Sequence, residues 1–264
     1  MTVVLDTRTN AGIRLEPNFS IPLWRELLWP WERFTSLFSL TTWGFGVPRG
    51  DGSAVVLVPG FMGTDFYLTP MYWWLWAIGY TPVMSGIGLN AKCLKSLCDQ
   101  LTETVREAFK KSGRRVTLIG HSLGGTIALL VALANPDMVE QVILLASPIR
   151  PRNGAIQVNP ITVGIAKVVR TLRSGKGLYP DCLTPSCHCL ALITPEVLSR
   201  SPVTTTFVYT EEDGIVNWRN TRPDGQSNVV RVKGRHLVLP FNPQVCRTIA
   251  EILHGNKIAE RAVA

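Results

Sequence analysis

The sequence predicts an α/β protein: a mostly parallel central sheet, helices on both faces, and a cap inserted over one end. Three observations lead there. From residue 54 onward, short apolar runs rich in β-branched residues alternate with helical runs, the rhythm of strands joined by helical crossovers. The strand-like runs, such as "AVVLVP" and "RRVTLIG", show little alternation of apolar and polar residues, as expected of strands buried on both sides. Residues 149–201 then break the rhythm with prolines, glycines, basic residues and three cysteines. That stretch is longer than a crossover needs, and long insertions in compact domains are usually functional.

The elements follow in order. Residues 1–53 form an N-terminal aromatic-rich segment expected to pack on the core. Within it, Leu23, Leu27, Phe34, Leu37 and Phe38 recur at helical spacing, interrupted by Pro30, so they suit one or two short helix faces. Contact with lipid, or cover for a site, is the alternative use of that segment. Residues 54–264 form the main domain, with its cap or lid at about 149–201. "AVVLVP" is a buried strand, "TPMYWWLWAIG" a helix and "TPVMSG" a short strand. "AKCLKSLCDQLTETVREAFKKSG" is a long amphipathic helix with Gly113 just past its end, where a left-handed residue terminates many helices. "RRVTLIG", "EQVILLASP", "VTTTFVYT" and "NVVRVK" are further strands, "GTIALLVALANP" is a nearly apolar helix, and "NPQVCRTIAEILHG" closes the chain as a helix. No strand is expected within 149–201.

Composition narrows the partners. The 264 residues carry a formal net charge of +8 without a dense block of Lys and Arg, so no nucleic-acid surface is expected. A mild attraction to anionic lipid or acidic partners is consistent with the charge. The start, "MTVVLDTRTNAGIRL", lacks the basic-then-apolar order of a secretion signal. "MYWWLWAIGY" is too short to span a bilayer. The expectation is a cytoplasmic chain with mostly reduced cysteines and, secondarily, peripheral membrane contact.

The chemistry gathers around "VTLIGHSLGGTIALL", Val116 to Leu130. Glycine is costly to order, yet Gly120, Gly124 and Gly125 flank one serine, Ser122, between a strand and a helix. A sharp strand-to-helix turn explains the pattern. It lifts the Ser122 hydroxyl above the sheet edge and leaves no room for side chains beside it. At a helix N-terminus the free N–H groups favour developing negative charge. A serine nucleophile needs a base, and the base needs an acid. Of the four histidines, His121 adjoins the serine and is expected to point away from it. His188 sits among cysteines, and His254 ends the last helix. His236, in "VKGRHLVLPFNP", lies between the last strand and the last helix, where a base can reach back over the sheet. In "FVYTEEDGIVNW", Asp213 is the expected acid, with Gly214 permitting a tight turn. Glu211 and Glu212 are its rivals. "VLVPGFMGTD" follows the first buried strand, so the N–H groups of Phe61 and Leu123 are the expected oxyanion donors. Met62, Phe66 and Trp73, Trp74 and Trp76 bring apolar bulk near that loop. Met62, Phe66, Leu237, Val168 and Leu172 are the candidate substrate-binding residues.

Taken together, "VLVPGFMGTD", "GHSLGG", "YTEEDGIVNW" and "GRHLVLPFNP" resemble the α/β-hydrolase superfamily, close to its bacterial lipase and esterase branch, over roughly residues 54–254 outside the insertion. The resemblance implies the α/β-hydrolase fold and a serine carboxylic ester hydrolase working through an acyl-enzyme. Ser122, Asp213 and His236 match its triad. Many such lipases carry His-Gly in the oxyanion loop; here it is Pro59-Gly60, so the hydrogen bonds of that histidine are lost. The same triad serves thioesterases and acyltransferases. A non-catalytic scaffold that binds a partner through its aromatic segment is a further alternative. The implied partner is a small-molecule ester or lipid.

Within the insertion, "DCLTPSCHC" clusters Cys182, Cys187, His188 and Cys189. No second ligand pair with standard spacing accompanies them, so free thiols are favoured over a disulfide, and no metal or cofactor is expected. Lys167, Arg170 and Arg173 alternate with Ile165, Val168, Val169 and Leu172, which predicts an amphipathic cap helix whose apolar face covers the site mouth.

Overall fold

A computed structural model describes residues 14–18, 20–149, 155–173, 201–223 and 228–255. Its centre is a six-stranded parallel sheet made of β2 (Ala54–Val58), β3 (Thr81–Met84), β4 (Val116–His121), β5 (Val139–Leu145), β7 (Thr204–Tyr209) and β8 (Val229–Arg231), in the order β3-β2-β4-β5-β7-β8. Every residue of β2 and β4 is buried, which is why neither run alternates in sequence. Successive side chains of a strand face opposite sides. Val56, Val58, Leu118 and Leu144 therefore join Leu97 and Leu101 of α3 (Leu94–Ser112) and Ile127 and Val131 of α4 (Leu123–Ala134) in one core. Val55, Leu57, Ile119 and Ile143 join Leu75 of α2 (Thr69–Ala77) and Ile249 of α6 (Pro243–Leu253) in the other. Gly113 ends α3 at φ 66°, its N–H donating to the Phe109 carbonyl at 2.9 Å.

Parallel pairing carries the C-terminal ends of the strands to one edge. Val58 lies beside Gly120 in the register of β2 and β4, so the loop after β2 and the turn after β4 are neighbours. The segments after β7 and β8 reach the same edge.

The structure departs from expectation in three places. The insertion does contain a strand, β6 (Ala155–Val158), followed by the helix α5 (Pro160–Arg173). β6 pairs in parallel with β1 (Arg14–Pro17) as a separate two-stranded sheet. Four residues whose partner lies far away in the chain give no local signal.

Secondly, Pro30 begins a helix instead of interrupting one. It occupies the first turn of α1 (Trp29–Ser36), where its missing N–H is no loss.

Thirdly, the aromatic segment is inverted. Leu27, Phe34, Leu37 and Phe38 were expected to pack inward, but all are exposed, as are Trp24, Trp31, Leu40 and Trp43. The buried members with side chains are Ile21, Glu26, Ser36 and Thr41. Much of the attachment is polar: Trp74 Nε1 donates to the Thr41 carbonyl at 2.8 Å and Arg247 Nη2 to Thr41 Oγ1 at 3.1 Å.

Candidate active site

Ser122 sits between β4 and α4 with φ 53° and ψ −128°, a conformation that non-glycine residues hold only under constraint. Its N–H donates to the Leu145 carbonyl at 2.8 Å. The flanking glycines are there for space. A Cβ on Gly120 would lie 2.3 Å from Gly125 Cα, one on Gly124 2.3 Å from the Pro59 carbonyl oxygen, and one on Gly125 1.9 Å from Ser147 Oγ. The helix starts so close to two strands that only hydrogen atoms fit between them.

His236 opens a short 3-10 turn, His236–Phe241, and is buried. Its Nδ1 lies 2.6 Å from Asp213 Oδ2. The other carboxylate oxygen, Oδ1, accepts the N–H groups of Ile215 and Val216, each at 2.8 Å. Asp213 is thus held by the turn that follows it, and the imidazole by Asp213. With Nδ1–H donating there, Nε2 is the nitrogen left for chemistry. Burial disfavours the imidazolium, but the charge of Asp213, its hydrogen bond and the charge of Glu26 outweigh it, and the His236 pKa lies above the ordinary histidine value. The rival acids are engaged elsewhere: Glu211 with Arg231 at 3.4 Å, and Glu212 with the Gly234 N–H at 3.1 Å.

Gly214, in the turn closed by Asp213, has a further role. It is not among the residues with positive φ. A Cβ there would lie 2.8 Å from Glu26 Cγ, so the glycine makes room for a side chain from the N-terminal segment.

His121, expected to point away from Ser122, lies in the interior beneath the His236 turn. It is buried, its Nε2–H donates to the His236 carbonyl at 2.9 Å, and the two rings lie 4.9 Å apart. Burial, with His236 alongside, pushes its pKa well below the ordinary value, so it stays neutral. Tyr67 lies against it and donates its hydroxyl to the Leu237 carbonyl at 2.5 Å. The carbonyls of His236 and Leu237 are therefore both held in place.

The loop after β2 is held by Asn90, which is fully buried. Asn90 Nδ2 donates to the Pro59 carbonyl at 2.8 Å, the Asn90 backbone carbonyl accepts the Met62 N–H, and the Asn90 backbone N–H donates to the Gly63 carbonyl, the last two at 2.9 Å. Asn90 anchors both sides of Phe61 where the Pro59-Gly60 sequence lacks a histidine. A Cβ on Gly60 would lie 3.1 Å from Ser122 Cβ, which brings this loop directly over the serine.

These groups line one cavity of about 950 Å³. Of the candidates, Phe61, Met62, Phe66, Ser122, Leu123, His236 and Leu237 line it, and Asp213 stands behind His236. Val168 and Leu172 do not. Both are exposed on α5, whose contributions are Thr162, Ile165 and Ala166. The inward side of α5 is rotated from the expected one, with Val163, Ala166 and Val169 buried. Among the described residues no cluster of potential metal ligands occurs; Cys182, Cys187, His188 and Cys189 lie outside them. Glu26, Asn90 and Tyr67 were not anticipated. Glu26 had one signal, a lone acid amid the apolar residues of "LWRELLW".

A strained serine after a central parallel strand, with an imidazole and a carboxylate after later strands, is an arrangement that the α/β-hydrolase fold can present. This chain has the α/β-hydrolase fold. Residues 80–197 match the sequence model of a family described as "Putative esterase". No curated protein matches the chain by sequence. Among solved structures it is similar to a metagenome-derived lipolytic enzyme of the LipS and LipT study, at 11% identity and a TM-score of 0.56, covering 79% of this chain and 96% of that one. It is also similar to the monoacylglycerol lipase of Paleococcus ferrophilus, at 14% identity and a TM-score of 0.54, covering 80% and 97%. The mature lipase BlEst2 of Bacillus licheniformis matches at 16% identity with a TM-score of 0.52, covering 81% and 95%.

Proposed function

We propose that this chain is a serine carboxylic ester hydrolase acting through an acyl-enzyme on esters with an apolar acyl or alkyl part. The carrying observation is that His236, held by Asp213 behind it, and the strained Ser122 line one cavity whose described lining contains no Asp, Glu, Lys or Arg. In this reading Ser122 Oγ attacks the ester carbonyl carbon and its proton passes to His236 Nε2. The oxyanion so formed takes hydrogen bonds from the N–H groups of Phe61 and Leu123, one such donor being worth about 3 kcal/mol in the barrier. The imidazolium then protonates the departing alkoxide as the carbonyl re-forms, and water, deprotonated by His236, releases the acid. Asp213 holds the tautomer and stabilises the imidazolium throughout.

The test is a panel of p-nitrophenyl esters of increasing acyl length. Hydrolysis that strengthens with acyl length supports the reading, and no turnover of any member contradicts it. In this reading β6 and α5 act as a cap that selects among these esters, with Ile156, Val158, Thr162, Ile165 and Ala166 lining the cavity. Ile165→Asp is therefore expected to lower kcat/KM for long acyl chains several-fold more than for acetate. A uniform drop that tracks a fall in Tm would assign α5 to packing alone.

The inverted segment supports peripheral lipid contact. Trp24, Leu27, Trp31, Phe34 and Phe38 project outward next to Arg25 and Arg33, and the exposed side of α5 carries Ile161, Ile165, Val168 and Leu172. Aromatic and basic residues together suit the interface of an anionic bilayer. Among the described residues no helix is long and apolar enough to cross a membrane. The expected result is co-sedimentation with phosphatidylglycerol vesicles, weakened by Trp31→Glu with Phe38→Glu and by salt. Absence of sedimentation at low salt would contradict it.

A further inference from the structure

We propose that Glu26 is a positioning residue for the acid–base pair: its carboxylate ties the Asp213 turn to the His236 turn and holds the two in register. The inference rests on the triad reading above and adds to it the N-terminal segment, which lies outside the α/β core.

The geometry carries it. Glu26 Oε1 accepts the N–H of Gly214 at 2.8 Å and of His236 at 3.1 Å, and Oε2 accepts the N–H of Leu237 at 3.1 Å. One side chain thus bonds the residue after the acid, the base itself and the residue after the base. Its donors come from the turns that follow two different strands, β7 and β8.

Burial makes the arrangement specific. Glu26 is only 3% exposed, although Glu is almost never buried without partners, and three N–H donors provide them. The surrounding chain accommodates it: Gly214 has no side chain where Glu26 Cγ and Oε1 approach. Glu32, from the same segment, supports the neighbouring residue by an ion pair with the Arg235 guanidinium and by accepting the Arg235 N–H at 3.3 Å. Two carboxylates of α1 and the turn before it therefore grip residues 235–237, while the apolar side chains around them face outward.

The charge has a second effect. The groups facing His236 are Asp213 at Nδ1, Glu26 at the backbone N–H, neutral His121 and Tyr67 beneath, and the Arg235–Glu32 pair beside it; Glu212 holds Gly234 and Arg33 lies over the Phe241 ring. Glu26 is one of the charges that favour the imidazolium. Removing that charge lowers the pKa of His236, so its neutral, base-competent form appears at lower pH.

The experiment compares the wild-type full chain with Glu26→Gln and Glu26→Asp on p-nitrophenyl butyrate across pH, with Tm and the rate of fluorophosphonate labelling measured in parallel. Glu26→Gln presents an amide NH₂ to donors that need an acceptor. It is expected to lower kcat about 10- to 100-fold, with KM changed less than threefold, the labelling rate falling with kcat, and the acid limb of kcat/KM moving to lower pH. Glu26→Asp keeps the charge on a shorter stem. It is expected to lose kcat while leaving the acid limb in place, and it decides the question if Glu26→Gln does not fold. Unchanged kcat and acid limb in a folded Glu26→Gln, or a loss that only follows the fraction unfolded, would overturn the proposal. Failure of the wild type itself to react with the fluorophosphonate would overturn the triad reading instead.

Discussion

Ser122→Ala is expected to remove ester turnover, lowering kcat by about 10⁴ to 10⁶, while the protein remains folded. The two halves of that expectation have separate causes. Catalysis is lost because alanine has no Oγ to attack the ester carbonyl from the strained turn between β4 and α4. The fold is kept because alanine retains the Cβ at φ 53°, and the N–H bond to the Leu145 carbonyl belongs to the backbone. Kinetics on p-nitrophenyl esters and a thermal melt check the two halves together. Wild-type turnover in purified, folded Ser122→Ala would exclude Ser122 as nucleophile.

Asp213→Asn is expected to cost about 10⁴ in kcat, with KM close to that of the wild type. The asparagine can keep Oδ1 as acceptor for the N–H groups of Ile215 and Val216, so the turn survives. Its NH₂ then faces His236 Nδ1 where Oδ2 now lies at 2.6 Å. Two donors cannot share that contact, so the imidazole takes the tautomer with Nδ1 bare and Nε2 protonated. That form cannot accept the serine proton. Glu212→Gln should change kcat less than about threefold, because Glu212 holds the Gly234 N–H and not the imidazole. If Glu212→Gln is the crippling variant and Asp213→Asn is active, the acid has been misassigned.

The core strands were legible because they are buried on both sides. Runs such as Ala54–Val58 and Val116–His121 signal their state without any long-range partner. Ser122, Asp213 and His236 were legible as candidates because each lies in the segment that follows a strand, and parallel topology sends those segments to one edge. What was hidden depended on distance in the chain. β6 pairs with β1, and Glu26 acts on residues some two hundred positions away. The inverted segment misled for a related reason. Helical spacing shows that one face differs from the other, but not that the polar face is the one to be buried. Here hydrogen-bonding groups of the core turns draw Glu26 inward and leave the aromatic residues outside. Val168 and Leu172 were placed by the same apolar periodicity as Ile165 and Val169; Ile165 lines the cavity and Val169 is buried, but the rotation of α5, which periodicity does not determine, leaves Val168 and Leu172 exposed.

The central claim is that Ser122 carries the acyl group during turnover. The most direct measurement is peptide mass mapping of the chain after reaction with a fluorophosphonate, and after rapid acid quench during turnover of a long-chain p-nitrophenyl ester. The account predicts the phosphonyl adduct, and the trapped acyl group, on the peptide that contains Ser122, and neither on the chain carrying Ser122→Ala. An adduct on another residue, or ester hydrolysis with no covalent intermediate and no labelling of Ser122, would contradict it.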